Sequence, residues 1–309
     1  MKDGFIRVAA ATPDIHVADP QYNSEQIIEL MEQGSARGVK VMAFPELCLT
    51  AYTCSDLFLQ ESLLREAKKE LKRILQASKS KDMILFVGMP WMHKGKLYNV
   101  AAVLNRGRIL GIVPKKHLPN YSEFYELRHF NPGMEKVEMT DWEGVQVPMG
   151  MNLLFACRTM PELVLAAELC EDVWVPCPPS ISHALAGATV IANCSASDET
   201  TGKDQYRYNL ICGQSARLVC GYIYANAGEG ESSQDLVFGG QNIIAENGSI
   251  LAESRRFVNG ALYADLDIHR LDNERRRMTT CRFVPDLAPE GQDVFYNEVY
   301  FNAGRGVTP

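Results

Sequence analysis

No stretch of this 309-residue chain approaches the roughly 20 consecutive apolar residues needed to span a bilayer. The opening Met-Lys-Asp-Gly-Phe-Ile-Arg-Val is too polar for a secretory leader, so a soluble chain with no membrane partner is expected. Paired cysteine spacings are missing too. Nine cysteines, an odd number with no Cys-x-x-Cys among them, argue against a disulfide framework and for a reducing, cytoplasmic location. An excess of positive charge is absent: the net charge is −7, which removes nucleic acid as an expected partner. The local clusters Lys68-Lys69 and Arg275-Arg276-Arg277 are flanked by acidic residues and read as solvated helix faces. Neither a Gly-x-Ser-x-Gly elbow nor a Walker-type loop occurs. The glycines of Gly228-Glu-Gly-Glu-Ser232 are interleaved with carboxylates where phosphates would have to lie. His117 and His129 have no Cys or His partner at ligand spacing, so no metal site is expected.

What is present is an ordinary globular composition, 46% apolar and 22% charged. Val- and Ala-rich Phe5 to Thr12 reads as a buried strand, and Asn23 to Gly38 as a helix capped by Ser24. Val39 to Phe44 is a second strand. Asp56 is placed to cap a long amphipathic helix ending at Ser78, with Leu57, Leu59, Leu63, Leu64, Leu71 and Ile74 on its apolar side. Met83 to Pro90, Leu97 to Asn105 and Arg108 to Pro114 are strand-like, the last two joined by a tight Arg106-Gly107 turn. The aromatic stretch Lys116 to Glu138 fits a rigid functional loop. Pro161 to Leu169, the short helix Ser180 to Ala186, Ala188 to Ser195 and the long helix Lys203 to Val219 repeat the alternation. Strands then run from Gly221 to Leu266, with Asn247-Gly248 as another hairpin turn. The same plan runs twice, which implies an α/β fold of two facing sheets with helices outside.

Glu46, Lys115 and Cys170 each follow the end of a short apolar run. In open α/β sheets ligands bind outside the carboxyl ends of the strands, so an acid, an amine and a thiol emerging there can converge on one substrate. Each alone has a plain alternative, as a buried small hydrophobe, a loop carboxylate or a solvated lysine beside Lys116. Together they make a thiol nucleophile with a base and a cation, a set that needs no histidine.

The segments Ala43-Phe-Pro-Glu46-Leu-Cys-Leu-Thr50, Pro114-Lys115-Lys-His-Leu-Pro119 and Glu168-Leu-Cys170-Glu-Asp172 resemble the nitrilase superfamily of carbon-nitrogen hydrolases. Further segments resemble one branch of it, the glutamine-hydrolysing domains attached to ATP-dependent NAD synthetases. These are Arg7 to Pro13, Leu118 to Glu126, the Trp174 segment, Asn193 to Glu199, and Gly228 to Ser232 with Asp235 to Gly240. The resemblance implies a four-layer αββα sandwich over residues 1–276, with 277–309 as a C-terminal extension or linker. It also implies that Cys170 attacks the side-chain amide of L-glutamine, Glu46 serves as base and acid, Lys115 stabilises the tetrahedral intermediate, and Glu126 supports them, with Glu123 close by. Tyr121, Glu171, Trp174, Ser197 and Lys203 would surround the substrate, Glu171 and Ser197 suiting its ammonium and carboxylate ends.

Amide hydrolysis of this kind requires no cofactor, and ATP and Mg would belong to the synthetase domain. That domain's Ser-x-Gly-x-Asp-Ser loop does not occur in this sequence. The resemblance therefore implies ammonia supply to a C-terminal NAD synthetase domain outside this chain, or else a free-standing amidase acting on another small amide. It further implies a homo-oligomer, for which the apolar segment Val173 to Pro178 would be a suitable contact.

Overall fold

The structure is a computed structural model, and it describes residues 3–134, 136–280 and 296–304. The first half contains β1 (Phe5–Thr12), α1 (Pro20–Ala36), β2 (Val41–Ala43), α2 (Glu61–Ser78), β3 (Ile84–His93), β4 (Lys96–Asn105) and β5 (Arg108–Pro114). There follow β6 (Glu138–Trp142), β7 (Val145–Met149), β8 (Leu153–Cys157), β9 (Val164–Leu169), α3 (Pro179–Leu185), β10 (Val190–Ser195), α4 (Lys203–Leu218) and β11 (Gly221–Asn226). The chain closes with β12 (Ile243–Glu246), β13 (Ser249–Glu253), β14 (Gly260–Asp267), α5 (Ile268–Arg277) and β15 (Asn297–Phe301).

The strands form two sheets, ordered β14-β1-β2-β3-β4-β5-β7-β6 and β13-β12-β11-β10-β9-β8-β15. Three apolar layers follow from the period-two alternation of the strands. Val8, Ala10, Val41, Phe86 and Val103 meet Phe155, Leu165, Ala167, Ala192 and Ile223 between the sheets. Ala9, Ala11, Met42 and Leu85 instead face Ile27 and Met31 of α1 and Leu71 and Ile74 of α2. Ala166, Ile191 and Tyr222 face Ala184 of α3 and Ile211 of α4. The architecture is the αββα sandwich expected.

Four local expectations change. Helix α1 is capped by Asp19, whose side chain accepts from Tyr22 N at 3.1 Å, with Pro20 setting the first helical φ. Ser24 lies one turn inside, its Oγ donating to Glu70 of α2 at 2.6 Å. Asp56 caps nothing: it sits in a 3-10 segment, Tyr52–Leu59, broken at Ser55, and pairs with Arg128 at 2.7 Å. Leu57 and Leu59 belong to that segment and are exposed.

The third change is in 138–157, where β6, β7 and β8 form without a clear sequence signature. The fourth is in 277–309: the described part of this presumed linker includes β15, which pairs in parallel with β8 from Asn297↔Leu153 to Phe301↔Cys157. The Arg106-Gly107 and Asn247-Gly248 turns do form, each with two successive positive φ values.

Candidate active site

The carboxyl ends of β2, β5, β9 and β10 meet where the two sheets face each other. After β2 the chain turns at Pro45 and presents Glu46, and Gly88 of the neighbouring β3 makes the turn possible. A Cβ at Gly88 would lie 2.2 Å from Pro45 O and 2.4 Å from Leu47 N. The Glu46 N–H donates across to Ser195 O in the other sheet at 3.3 Å. Lys115 follows β5, its N–H held by Asn99 O of β4 at 2.9 Å. Cys170 follows β9 with φ 40°, a left-handed conformation uncommon outside glycine. Asn193 of β10 accepts its N–H at 3.2 Å.

Lys115 Nζ donates to Glu46 Oε1 and to Glu126 Oε1, both at 2.6 Å, and all three side chains are buried. Asn99 Nδ2 also donates to Glu46 Oε1 at 2.6 Å, while the Ala196 N–H donates to Glu46 Oε2 at 3.1 Å. Tyr52 Oη donates to Glu126 Oε1 at 2.8 Å. Glu126 is thus the carboxylate beside Lys115, while Glu123 is half-buried on the pocket wall.

Burial pushes the Cys170 thiol well above its ordinary range, and the Glu46 charge adds to this while Lys115 opposes it. Glu46 is itself raised, chiefly by burial, against the pull of Lys115 and Asn99 and a hydrogen bond with Cys170. Burial lifts Glu126 to about 7, also against Lys115. For Lys115 burial alone would favour the neutral amine, but the charges of Glu126 and Glu46 outweigh it and the ammonium persists. These shifts favour the thiol over the thiolate at Cys170, raise the proton affinity of Glu46 and keep the charge on Lys115.

Cys170 opens into a cavity of about 360 Å³ whose walls include Tyr121, Glu171, Trp174, Ser197 and Lys203. Tyr121 Oη donates to Glu171 Oε1 at 2.9 Å, and burial raises the Glu171 carboxyl. Lys203 pairs with Asp198 and lies over the rings of Trp174 and Phe124, 5.5 Å and 5.7 Å from their centroids. Of the nine side chains singled out in the sequence, Cys170, Tyr121, Glu171, Trp174, Ser197 and Lys203 line this cavity, while Glu46, Lys115 and Glu126 form a buried hydrogen-bonded trio that does not line it. The Trp174 segment offers less free apolar surface than expected. Val173 and Pro178 are buried, which leaves Pro176 and Cys177 as the exposed part of Val173 to Pro178.

Sequence reasoning missed the supports. Asn99 was hidden in a strand that reads as apolar. In the sequence Asp172 is only the last residue of the Glu168 to Asp172 segment. Its carboxylate accepts from Leu169 N at 3.1 Å and His117 N at 2.8 Å, tying the Cys170 turn to the Lys115 loop. Glu231, in the glycine-rich loop, accepts from Tyr52 N at 2.7 Å and Thr53 N at 3.0 Å and so holds the tyrosine that reaches Glu126. Arg207 of α4 is fully buried behind Ser197. Among the described residues no group of His, Cys, Asp and Glu is arranged to hold a metal ion, and no helix is long and apolar enough to cross a membrane.

The sequence profile of the carbon-nitrogen hydrolases matches residues 7–276. A glutamine-dependent NAD(+) synthetase from Mycobacterium bovis is 43% identical over 279 residues, and one from Aquifex aeolicus is 30% identical over 280. These alignments cover 90% of this chain but 41% and 45% of the relatives, so the chain spans less than half their length. The structure of a glutamine-dependent NAD(+) synthetase from Cytophaga hutchinsonii superposes with a TM-score of 0.77 at 28% identity, covering 85% of this chain and 43% of that one. An amidase from Nesterenkonia sp. shares the fold, with a TM-score of 0.67 at 20% identity, covering 90% of this chain and 96% of its own.

Proposed function

Because this chain belongs to the carbon-nitrogen hydrolase family, we propose that it hydrolyses the side-chain amide of L-glutamine at Cys170 and supplies the ammonia to an ATP-dependent NAD synthetase domain. The reading is supported above all by one arrangement: Cys170 shares a cavity with Tyr121, Glu171, Trp174, Ser197 and Lys203, with Glu46, Lys115 and Glu126 hydrogen-bonded behind it. The wall carries an acid at Glu171 and a cation at Lys203, which suits a zwitterionic amino acid better than a neutral amide.

In the proposed cycle Glu46 takes the thiol proton as the sulfur attacks the amide carbon, and the carbonyl π electrons move onto oxygen. Lys115 and the Glu171 N–H hold that oxyanion. As the intermediate collapses, the C–N bond breaks and Glu46 returns the proton to nitrogen, releasing ammonia and leaving a thioester. Glu46 then takes a proton from water as its oxygen attacks the thioester. The second collapse breaks the C–S bond, restores the thiol and frees glutamate. Glu46 thus shuttles one proton in each half of the cycle, and the second proton of water leaves with the product carboxyl group.

The test is ammonia release from glutamine and a panel of small amides and nitriles. Glutamine is expected to be preferred, and Cys170→Ala is expected to reduce release to background with an unchanged circular dichroism spectrum. Release near the parent rate would mean that the nucleophile is elsewhere. Glu46→Gln and Lys115→Ala should each lose at least about a thousandfold, without their losses adding. Turnover of another small amide in preference to glutamine would favour a free-standing amidase.

A further inference from the structure

Ser197 faces the cavity, and a serine hydroxyl is ambiguous: it can donate one hydrogen bond and accept two. Here its backbone is clamped, with Ser197 N donating to Asn226 Oδ1 at 2.8 Å and Asn226 Nδ2 donating back to Ser197 O at 3.0 Å. Its Oγ accepts from Arg207 Nη2 at 3.1 Å. Arg207 is the largest fully buried side chain among the described residues. It also bonds Asp198 O and Glu199, each at 2.8 Å, and Gln241. A guanidinium has donors only and keeps its charge, so this lone pair of Ser197 is permanently occupied. Polarised by a buried cation, the hydroxyl becomes the stronger donor, and its hydrogen is left to point away from Arg207.

We propose that Arg207 is a positioning residue that turns Ser197 into a dedicated hydrogen-bond donor, so that this wall of the cavity selects the carboxylate end of the substrate and rejects its ammonium end. The inference deepens the glutamine reading and rests on it. Lys203 supplies charge at the same wall, though Asp198 already shares it, and Ser197 supplies the direction. Elsewhere on the lining Glu171, which accepts from Tyr121, presents acceptor oxygens for the ammonium. Swapping the two ends of an amino acid would then place a donor against a donor and an acceptor against an acceptor. One other group competes for the Ser197 hydrogen: the buried Tyr224 hydroxyl, which lies near Ser195, Ser197 and Cys170.

Three amides separate a directional role from a structural one: L-glutamine, glutaramate, which keeps the carboxylate without the amino group, and 4-aminobutanamide, which keeps the amino group without the carboxylate. Arg207→Met is expected to lower kcat/KM at least about tenfold for the first two, through KM, with little change for the third, the loss of one hydrogen bond to a charged group. Ser197→Ala should show the same pattern, and the double variant should lose no more than the worse single one. Arg207→Lys should recover part of the loss. If Arg207→Met does not fold, Ser197→Ala and Arg207→Lys carry the comparison. Equal losses on all three amides, or additive losses in the double variant, overturn the inference and leave glutamine hydrolysis standing. Loss of carboxylate preference in Tyr224→Phe would overturn it too, since Tyr224 would then direct the hydroxyl. No ammonia from any amide with the parent chain would instead sink the reading beneath it.

Discussion

One ammonium between two carboxylates governs the chemistry at the smallest scale. Lys115 has three N–H donors and gives two of them to Glu46 and Glu126, which leaves the third for an oxyanion. Burial makes this trio interdependent, because each ionised carboxylate makes the other hold its proton more tightly. Burial chiefly, with the charge of Glu46 adding to it, raises Glu126 to about 7 against the pull of Lys115. Glu126→Gln removes the negative charge and lets Lys115 turn wholly to Glu46, whose proton affinity then falls. The acid limb of kcat/KM against pH should shift down by about one unit or more. The maximal rate should also fall, by about a hundredfold, because Glu46 becomes a weaker base. A pH profile of ammonia release checks both. An unmoved limb, or one displaced to higher pH, would mean that Glu126 is not coupled to the base.

At the scale of elements, the site depends on three turns after strands, and Gly88 is where one of them is exposed to failure. An added Cβ there meets backbone rather than a flexible side chain, lying 2.7 Å from the carbonyl carbon of Glu46. Gly88→Ala should displace the Glu46 turn, costing about 1–3 kcal/mol in urea denaturation and about a hundredfold in kcat through misplacement of the base. A variant with parent kcat would show that the turn yields without moving Glu46. The strand ends themselves were legible in the sequence because an apolar run followed by Pro and a polar residue is a local signal, which is how Glu46 and Lys115 stand out. Gly88, Asn99, Asp172, Arg207 and Glu231 were not, since their work lies in contacts distant in sequence: Glu231 reaches Tyr52 across 179 positions, and Asn99 reaches Glu46 across 53. The same limit explains the misplaced caps. Ser24 satisfies the local rule for a cap, but Asp19 followed by Pro20 satisfies it better, which frees Ser24 to bind Glu70.

For the whole molecule, the question is where the folded unit ends. The family match stops at residue 276, yet β15 completes the second sheet by covering the edge of β8. Phe301 and Ala303 are buried in the layer between the sheets, and Tyr296 meets His183 of α3 at 2.9 Å. The strand is fastened to the first sheet's half by Asp82, whose oxygens accept from Gly304 N at 2.8 Å and 3.0 Å. The same carboxylate pairs with Lys40 at 2.5 Å and with Arg106. Burial would raise the Asp82 pKa, but hydrogen bonds from Lys40, Arg106 and Gly304 outweigh it and hold the group at about 2. A carboxyl held below its unfolded value contributes stability that is complete above about pH 4 and lost as pH falls towards the folded value. Amide hydrogen exchange in Asn297–Phe301 should therefore accelerate as pH is lowered from about 4 to about 2, beyond the intrinsic trend and ahead of β9. Asp82→Asn should open the strand already at neutral pH, and Phe301→Ala should cost about 3 kcal/mol in urea denaturation. Protection of β15 that tracks β9 across that range, in both the parent and Asp82→Asn, would show that edge pairing with β8 holds the strand without the carboxylate.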